Sequence, residues 1–225
     1  GDYPTANMDP REFELRGRHP EDVIEKDYPK QKRTGDTTAE EHVHHFVKDS
    51  EHPYNEVKRF DWMRGYQVGG RSLVWGRQSY RLSPMDFEAN GKEGIAVDWP
   101  IRYDDLAPWY SYVERFAGIS GSKEGLKQLP DGEFLTPFDL NCVEKTAKER
   151  SEKAFPERNL IIGRTAHLSE PNPEIHQGRG QCQTRNRCMR GCPYGAYFSS
   201  NSATLPAAEL TGNLTIRPFS IVESI

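Results

Sequence analysis

Three of the four cysteines stand close together: Cys182, Cys188 and Cys192, in the spacing C-x5-C-x3-C, with Pro193 after the last. Three thiolates so spaced, among glycine, asparagine and proline, can fold into a cup for a soft metal or an iron–sulfur cluster. Three ligands rather than four suit a cluster of three irons, or a zinc completed by His176. The same residues allow one disulfide with a spare thiol, or reduced structural thiols. Arg179, Arg185, Arg187 and Arg190 would offset the charge of several thiolates and would equally suit an anionic partner surface. Cys142 lies far from the trio.

A second stretch could hold a ligand by shape. Tyr66 to Arg81 reads YQVGGRSLVWGRQSYR. Gly69 and Gly70 let the backbone turn where a Cβ would clash, or approach a flat ligand closely. Ser72 adds a hydroxyl, and Trp75 and Gly76 close the segment. Together they can form a surface for a large planar cofactor, or simply a tight turn before an aromatic-bearing strand. His42, His44 and His45 could be read as a metal site, in which His45 could share a helix face with His42 or with Glu41. No further motif supports that, and a solvated or interface cluster is the expectation.

The elements that must position these residues are set in a polar chain. It has 225 residues, 35% hydrophobic, with 16 prolines, 19 glycines and a mean hydropathy of −0.84. An ordinary globular domain is about 45–50% apolar, glycine included. Much irregular structure is expected, in a piece whose core a larger protein would complete. The net charge of −4 and the absence of a basic stripe argue against a nucleic-acid surface. No apolar run is long enough for a transmembrane segment, and no signal peptide is visible. The chain opens at Gly1-Asp2 without methionine and stops at Ile225 inside a strand pattern, so a truncated chain is expected.

Residues 1–60 read as a loop-rich extension with short helical pieces. Residues 61–121 carry the glycine stretch, with Leu73, Val74 and Trp75 as a short buried strand or bend. Ser83-Pro84 opens a helix. A second helix has Asp104 and Asp105 as cap or first-turn residues, with Pro108 able to sit at its first position and Leu106, Trp109, Tyr110, Val113 and Phe116 on one face that packs. Gly118 and Gly121 end it. Residues 122–200 contain a helix from Asn141 to Phe155, with Val143, Ala147 and Ala154 inward and Pro156 as its stop. A strand then begins at Leu160-Ile161-Ile162, and the cysteine-rich loop follows. In residues 201–225, Leu205–Leu210 reads as a short helix closed by Gly212, and Leu214–Ile216 and Ser220–Val222 as strands.

Four segments, in order, resemble the glucose–methanol–choline (GMC) family of flavoprotein oxidoreductases, in the branch of bacterial FAD-dependent sugar dehydrogenases and pyranose-oxidase-like enzymes. They are VGGRSLVWGRQSYRLSPMDFE, DWPIRYDDLAPWYSYVERFAGISG, CQTRNRCMRGCPYGAYFSS and LPAAELTGNLTIRPFSIV. The resemblance covers about residue 66 to residue 225. It implies an α/β fold (α+β within this fragment): part of a FAD/NAD(P)-binding Rossmann-like domain and the start of a sheet-based substrate domain, loop-rich. It implies that Val68, Gly69, Gly70, Ser72, Trp75 and Gly76 lie along the flavin, and that the Val222 backbone contacts the adenine. Some relatives attach FAD through a histidine just before that tryptophan. Val74 stands there in this chain, so non-covalent FAD is expected. Cys182, Cys188 and Cys192 match a spacing that holds a 3Fe-4S cluster in some sugar-dehydrogenase large subunits, where it passes electrons to a cytochrome.

The implied activity is oxidation of a CH–OH group of a sugar or other alcohol by hydride transfer to flavin, with a dehydrogenase favoured over an oxidase. The implied partners are the sugar or alcohol substrate, the remaining N- and C-terminal parts of the enzyme, and a small subunit or cytochrome as electron acceptor. The compartment, periplasmic or cytoplasmic in a bacterium, is left open. No G-x-G-x-x-G opens a strand here. His167 and His176 do not match the family's catalytic histidine, so no residue of this chain is assigned a catalytic role. The competing readings are a non-catalytic module stabilised by a metal or a disulfide, and, more remotely, a zinc-binding nucleic-acid module.

Overall fold

The computed structural model describes residues 21–34, 45–171, 178–186, 188, 191–220 and 222. The expectations placed on Glu41, His42, His44, His176, Arg187, Arg190, Ile221 and both chain ends lie outside these residues. The chain packs as two units. One comprises residues 1–75, 184–195 and 199–225; the other comprises residues 76–183 and 196–198.

In the first unit a short helix α1 (Glu21–Asp27) leads into a 3-10 turn, Gln31–Thr34. Asp49 organises this region. Its carboxylate accepts the backbone N–H groups of Lys30 at 3.0 Å and Gln31 at 3.1 Å. Tyr28 and Phe46 are buried together, and Met63 and Val74 pack against them. A second 3-10 turn spans Gly70–Leu73. Later come a π-helical turn, Ser200–Thr204, and a helix that is α5 in chain order (Leu205–Glu209).

The second unit holds the three longer helices: α2 (Pro84–Glu93), α3 (Tyr103–Ala117) and α4 (Cys142–Ala154). Their starts follow from short-range chemistry. Ser83 caps α2 with Asp86 closing the box and Pro84 in the first turn, and Asn141 caps α4 with Glu144. Helix α3 begins at Tyr103, and Asp105 accepts the Arg102 N–H at 2.8 Å. Pro108 is therefore inside the helix rather than at its first position.

The faces of α3 and α4 differ from expectation. Trp109 and Val113 are exposed, and α3 buries Glu114 and Ala117 instead. The reason is a partner 33 residues earlier: Arg81 donates from Nε to Glu114 Oε1 at 2.7 Å and from Nη2 to Oε2 at 2.6 Å. Tyr103 and Ser111 accept from the same guanidinium. Helix α4 buries no residue, and Val143, Ala147 and Ala154 face solvent. One valine and two small alanines offer too little apolar area to hold that helix against a core.

Among the described residues, extended chain pairs only through isolated bridges. The segments Leu160–Ile162 and Leu214–Ile216, expected as strands, are irregular, and Leu73–Trp75 is the end of a 3-10 turn and a bend. The nearest approach to a sheet centres on residues 164–168. Thr165 exchanges backbone bonds with Ser120, Ala166 donates to Arg77 O, and Phe198 donates to Ala166 O. Ala166 and Leu168 are buried there with Ile119, Ala196 and Tyr197. Among the described residues no helix is long and apolar enough to cross a membrane.

The buried Arg81–Glu114 pair gives a stability test. Removing one partner strands a buried charge and costs about 3–5 kcal/mol. Glu114→Ala is expected to lower the unfolding free energy by that order in urea titrations. The double substitution Arg81→Met with Glu114→Leu is expected to restore much of it.

Candidate functional site

The glycine turn is built from its own backbone. Gly69 has φ 95° and Gly70 φ 50°, the left-handed region that favours glycine. Gly70 N–H donates to Gln67 O at 3.0 Å, and Ser72 N–H donates to Gly69 O at 3.2 Å. The Ser72 hydroxyl donates to Gly69 O at 2.6 Å and accepts the Ser200 N–H at 2.9 Å. Asn201 then donates from Nδ2 to Val68 O at 3.1 Å. A Cβ on Gly69 would come within 2.6 Å of Asn201 Oδ1, whereas one on Gly70 would meet nothing within 4 Å.

The π-helical turn thus clamps the glycine turn. Ser199 caps it with Ser202, which places Ser200 and Asn201 against residues 68–72. Turns of this kind recur at functional sites. Asn201 Oδ1 is buried without a hydrogen-bond partner among the described residues.

Beside this turn, within the same unit, is an open cavity of about 830 Å³. Its walls are residues 66–68 on one side, and Pro218, Phe219, Ser220 and Val222 on the other. Among the described residues no charged side chain lines it. The structure therefore brings Val68 and Val222 to one cavity. Gly69, Gly70 and Ser72 adjoin its Val68 wall along the chain without lining it. Trp75 is half-buried at the end of the first unit, and Gly76, exposed, opens the second.

Sequence reasoning did not single out Asn201, Tyr66 or Phe219. The S-N-S run after the cysteine loop is a capping pattern, which was the available signal for Asn201. Phe219 carried no signal, because its left-handed φ of 58° shows only in the fold.

Cys182, Cys188 and Cys192 are half-buried and Cys142 is exposed, none of them in a disulfide among the described residues. Cys182 belongs to the second unit, where its N–H donates to Leu168 O at 2.8 Å, and Cys188 and Cys192 belong to the first. Cys188 O and Cys192 O each accept the N–H three residues on, from Gly191 and Gly195. Among the described residues no group of three His, Cys, Asp or Glu side chains could hold a metal ion. Arg179 is occupied elsewhere, donating to Ala117 O at 2.8 Å and Ala196 O at 3.1 Å.

His167, in the second unit, is packed edge-on by Phe138 and Tyr197, with its Nδ1 3.2 Å from Thr165 Oγ1. Burial, with help from the Arg77 and Arg179 charges, pushes its pKa down to about 4.

No protein-family model matches the chain. Among curated proteins it is similar to the fructose dehydrogenase large subunit of Gluconobacter japonicus, 30% identical over 64% of this chain and 26% of that one. It is 36% identical to paromamine 6'-oxidase of Streptomyces fradiae over 67% of this chain and 26% of the relative. It is 25% identical to the gluconate 2-dehydrogenase flavoprotein of Pantoea cypripedii over 61% of this chain and 25% of the relative. All three carry dehydrogenase or oxidase names, and one is named a flavoprotein. The matched part of the chain spans only 25–26% of these relatives' lengths.

The two glycines are expected to respond differently to alanine. Gly69→Ala combines a left-handed backbone with a clash and is expected to cost about 2–3 kcal/mol. Gly70→Ala meets only the backbone cost, about 1–2 kcal/mol. Equal unfolding midpoints for the two would refute the Asn201 clamp. For His167 the neutral form is favoured in the fold, so on acidification the unfolded chain binds the proton first. Its contribution to stability is complete above pH 6.5 and is lost as the pH falls toward about 4. His167→Gln is expected to flatten that window, and an NMR titration of the ring should show its midpoint near 4.

Proposed function

We propose that this chain is the central portion of an FAD-dependent oxidoreductase that oxidises a CH–OH group of a sugar or another alcohol. Residues 61–121 and 201–225 would contribute to a Rossmann-like FAD domain, and residues 122–200 would open a sheet-based substrate domain. The observation that most supports this is the meeting of Val68 and Val222 at one cavity. These valines lie in two segments that resemble flavin-binding segments of the GMC family, and the cavity they share is of small-molecule size. The names of the similar proteins point the same way: fructose dehydrogenase, paromamine 6'-oxidase and gluconate 2-dehydrogenase flavoprotein.

The chain's own residues would bind and orient. Gly69 and Gly70 give the nucleotide a backbone surface free of Cβ atoms. Ser72, Ser200 and Asn201 fix that surface in place. The uncharged cavity would exclude water from one part of the ligand. FAD, when bound, supplies the hydride acceptor. Val74 offers no imidazole for attachment, so the flavin would be held without a covalent bond. Dehydrogenase action, with a quinone or cytochrome as the final acceptor, is the finer reading. Electron delivery to a second subunit accords with the "large subunit" in one relative's name. The substrate and the rest of the enzyme would be the other partners.

Incubation of the chain with FAD, followed by gel filtration, tests the reading. A yellow, flavin-bearing peak is expected, and acid precipitation should release all the flavin into the supernatant. A chain that emerges colourless would remove the flavin reading. Colour that stays with the precipitate would remove the non-covalent one.

A further inference from the structure

The cavity of the first unit has a feature that its position alone does not explain. Phe219 presents its whole ring to solvent, with a relative exposure of 105%, and does so from a left-handed backbone. A bulky side chain at positive φ is an outlier, and an exposed phenyl ring forgoes the burial that normally holds it. Both costs fall on one residue at a cavity wall. Strain of this sort collects at ligand sites, where a function retains it. On the opposite wall Tyr66 is 56% exposed, and His52 meets its ring edge-on with centroids 5.3 Å apart. Two aromatic rings therefore line one cavity, and no charged side chain among the described residues joins them there.

We propose that Tyr66 and Phe219 are the stacking platform for the flat heteroaromatic ring of a nucleotide. The inference rests on the cofactor reading above and says which part of such a ligand this cavity takes. A phosphate is disfavoured here, because no lysine, arginine or histidine among the described residues lines the walls. A sugar is disfavoured too, because the walls are mostly apolar and carry few hydrogen-bonding groups. A purine or flavin ring suits them. Its faces meet the aromatic rings, and its polar edge can reach the Gln67 carboxamide, the Ser220 hydroxyl and the Val222 backbone. The carbonyls of the adjoining turn, at Gln67, Val68 and Gly69, already accept hydrogen bonds, so they do not compete for that edge.

The test measures binding to the chain of three probes: FAD, FMN and AMP. Flavin anisotropy reports the first two, and calorimetry the third. Stacking of a base on an aromatic side chain predicts that Phe219→Ala weakens binding about tenfold or more. Phe219→Trp should retain binding, and Tyr66→Ala should weaken it to a lesser degree. Leu210→Ala, an exposed apolar truncation in the same unit outside the cavity, should leave binding unchanged. Phe219 is fully exposed, so its truncation leaves the fold intact. AMP binding alone among the two half-ligands assigns the platform to adenine, and FMN binding alone assigns it to the flavin ring. If the chain binds FAD and both truncated variants bind it equally well, the platform is wrong and the cofactor reading stands. If AMP binds in a Phe219-dependent way and FAD does not bind, the platform stands and the flavin reading falls. If none of the three binds, both fall.

Discussion

A buried arginine has five N–H donors to satisfy, and the second unit is arranged around that demand. Arg164 is 1% exposed. Its guanidinium donates to Pro130 O at 2.6 Å, reaches Ser122 O at 3.4 Å and meets Asp131 Oδ1 at 3.1 Å. One side chain thereby closes the loop from residue 122 to residue 131, with the ring of Phe134 beneath it. Arg81 does the same for α3 through Glu114, and Glu114 also accepts the Glu133 N–H at 2.9 Å. Arg77 lies over the ring of Tyr197, 4.1 Å from its centroid. In a chain that is 35% hydrophobic, apolar burial alone is a weak organiser, and these multi-donor groups specify loop paths that a sheet would otherwise fix. The gain is in specificity more than in net stability, because desolvating each charge offsets much of the attraction.

The first unit meets the same shortage by smaller means. Ser72, Ser199, Ser200, Ser202 and Asn201 tie two turns together with bonds of ordinary length. Short hydroxyl and amide groups bring backbones close, where a long charged side chain would hold them apart. The outcome is a surface whose polar atoms are used internally and whose outward face is glycine backbone and apolar wall. That surface suits a flat ligand for the same reason that it is a poor metal site: apart from Asn201 Oδ1, its donors and acceptors largely have partners.

Helix starts were legible in the sequence because they are local. Ser83-Pro84 and Asn141 through Glu144 are cap patterns that need no tertiary partner, and Gly118 ends α3 as expected. Helix faces were not legible, because Glu114 turns inward only for a guanidinium 33 residues away. Apolar triplets such as Leu160-Ile161-Ile162 read as strands by composition, yet among the described residues no neighbouring segment offers them a ladder. For the site, the two valines could be named only through resemblance to a family. Nothing in the valines themselves marks them, and nothing around Phe219 shows that the chain must turn left-handed there. The cysteines teach the converse. Cys182 and Cys188 are near in sequence, but the packing divides the chain between them.

Exposure alone does not single out the cavity. Val57 and Val97 are nearly as exposed as Phe219, and scattered apolar side chains on a surface are ordinary. Three coincidences separate Phe219 from them. It adopts a backbone conformation that a phenylalanine resists, and it lines a cavity that another exposed aromatic also lines. That cavity adjoins a turn whose backbone is held bare by a clamp from residues 200 and 201. Val57 and Val97 have none of these. Each coincidence has its own physical cause, so their convergence on one apolar, uncharged space is what gives the cavity its claim as a ligand site.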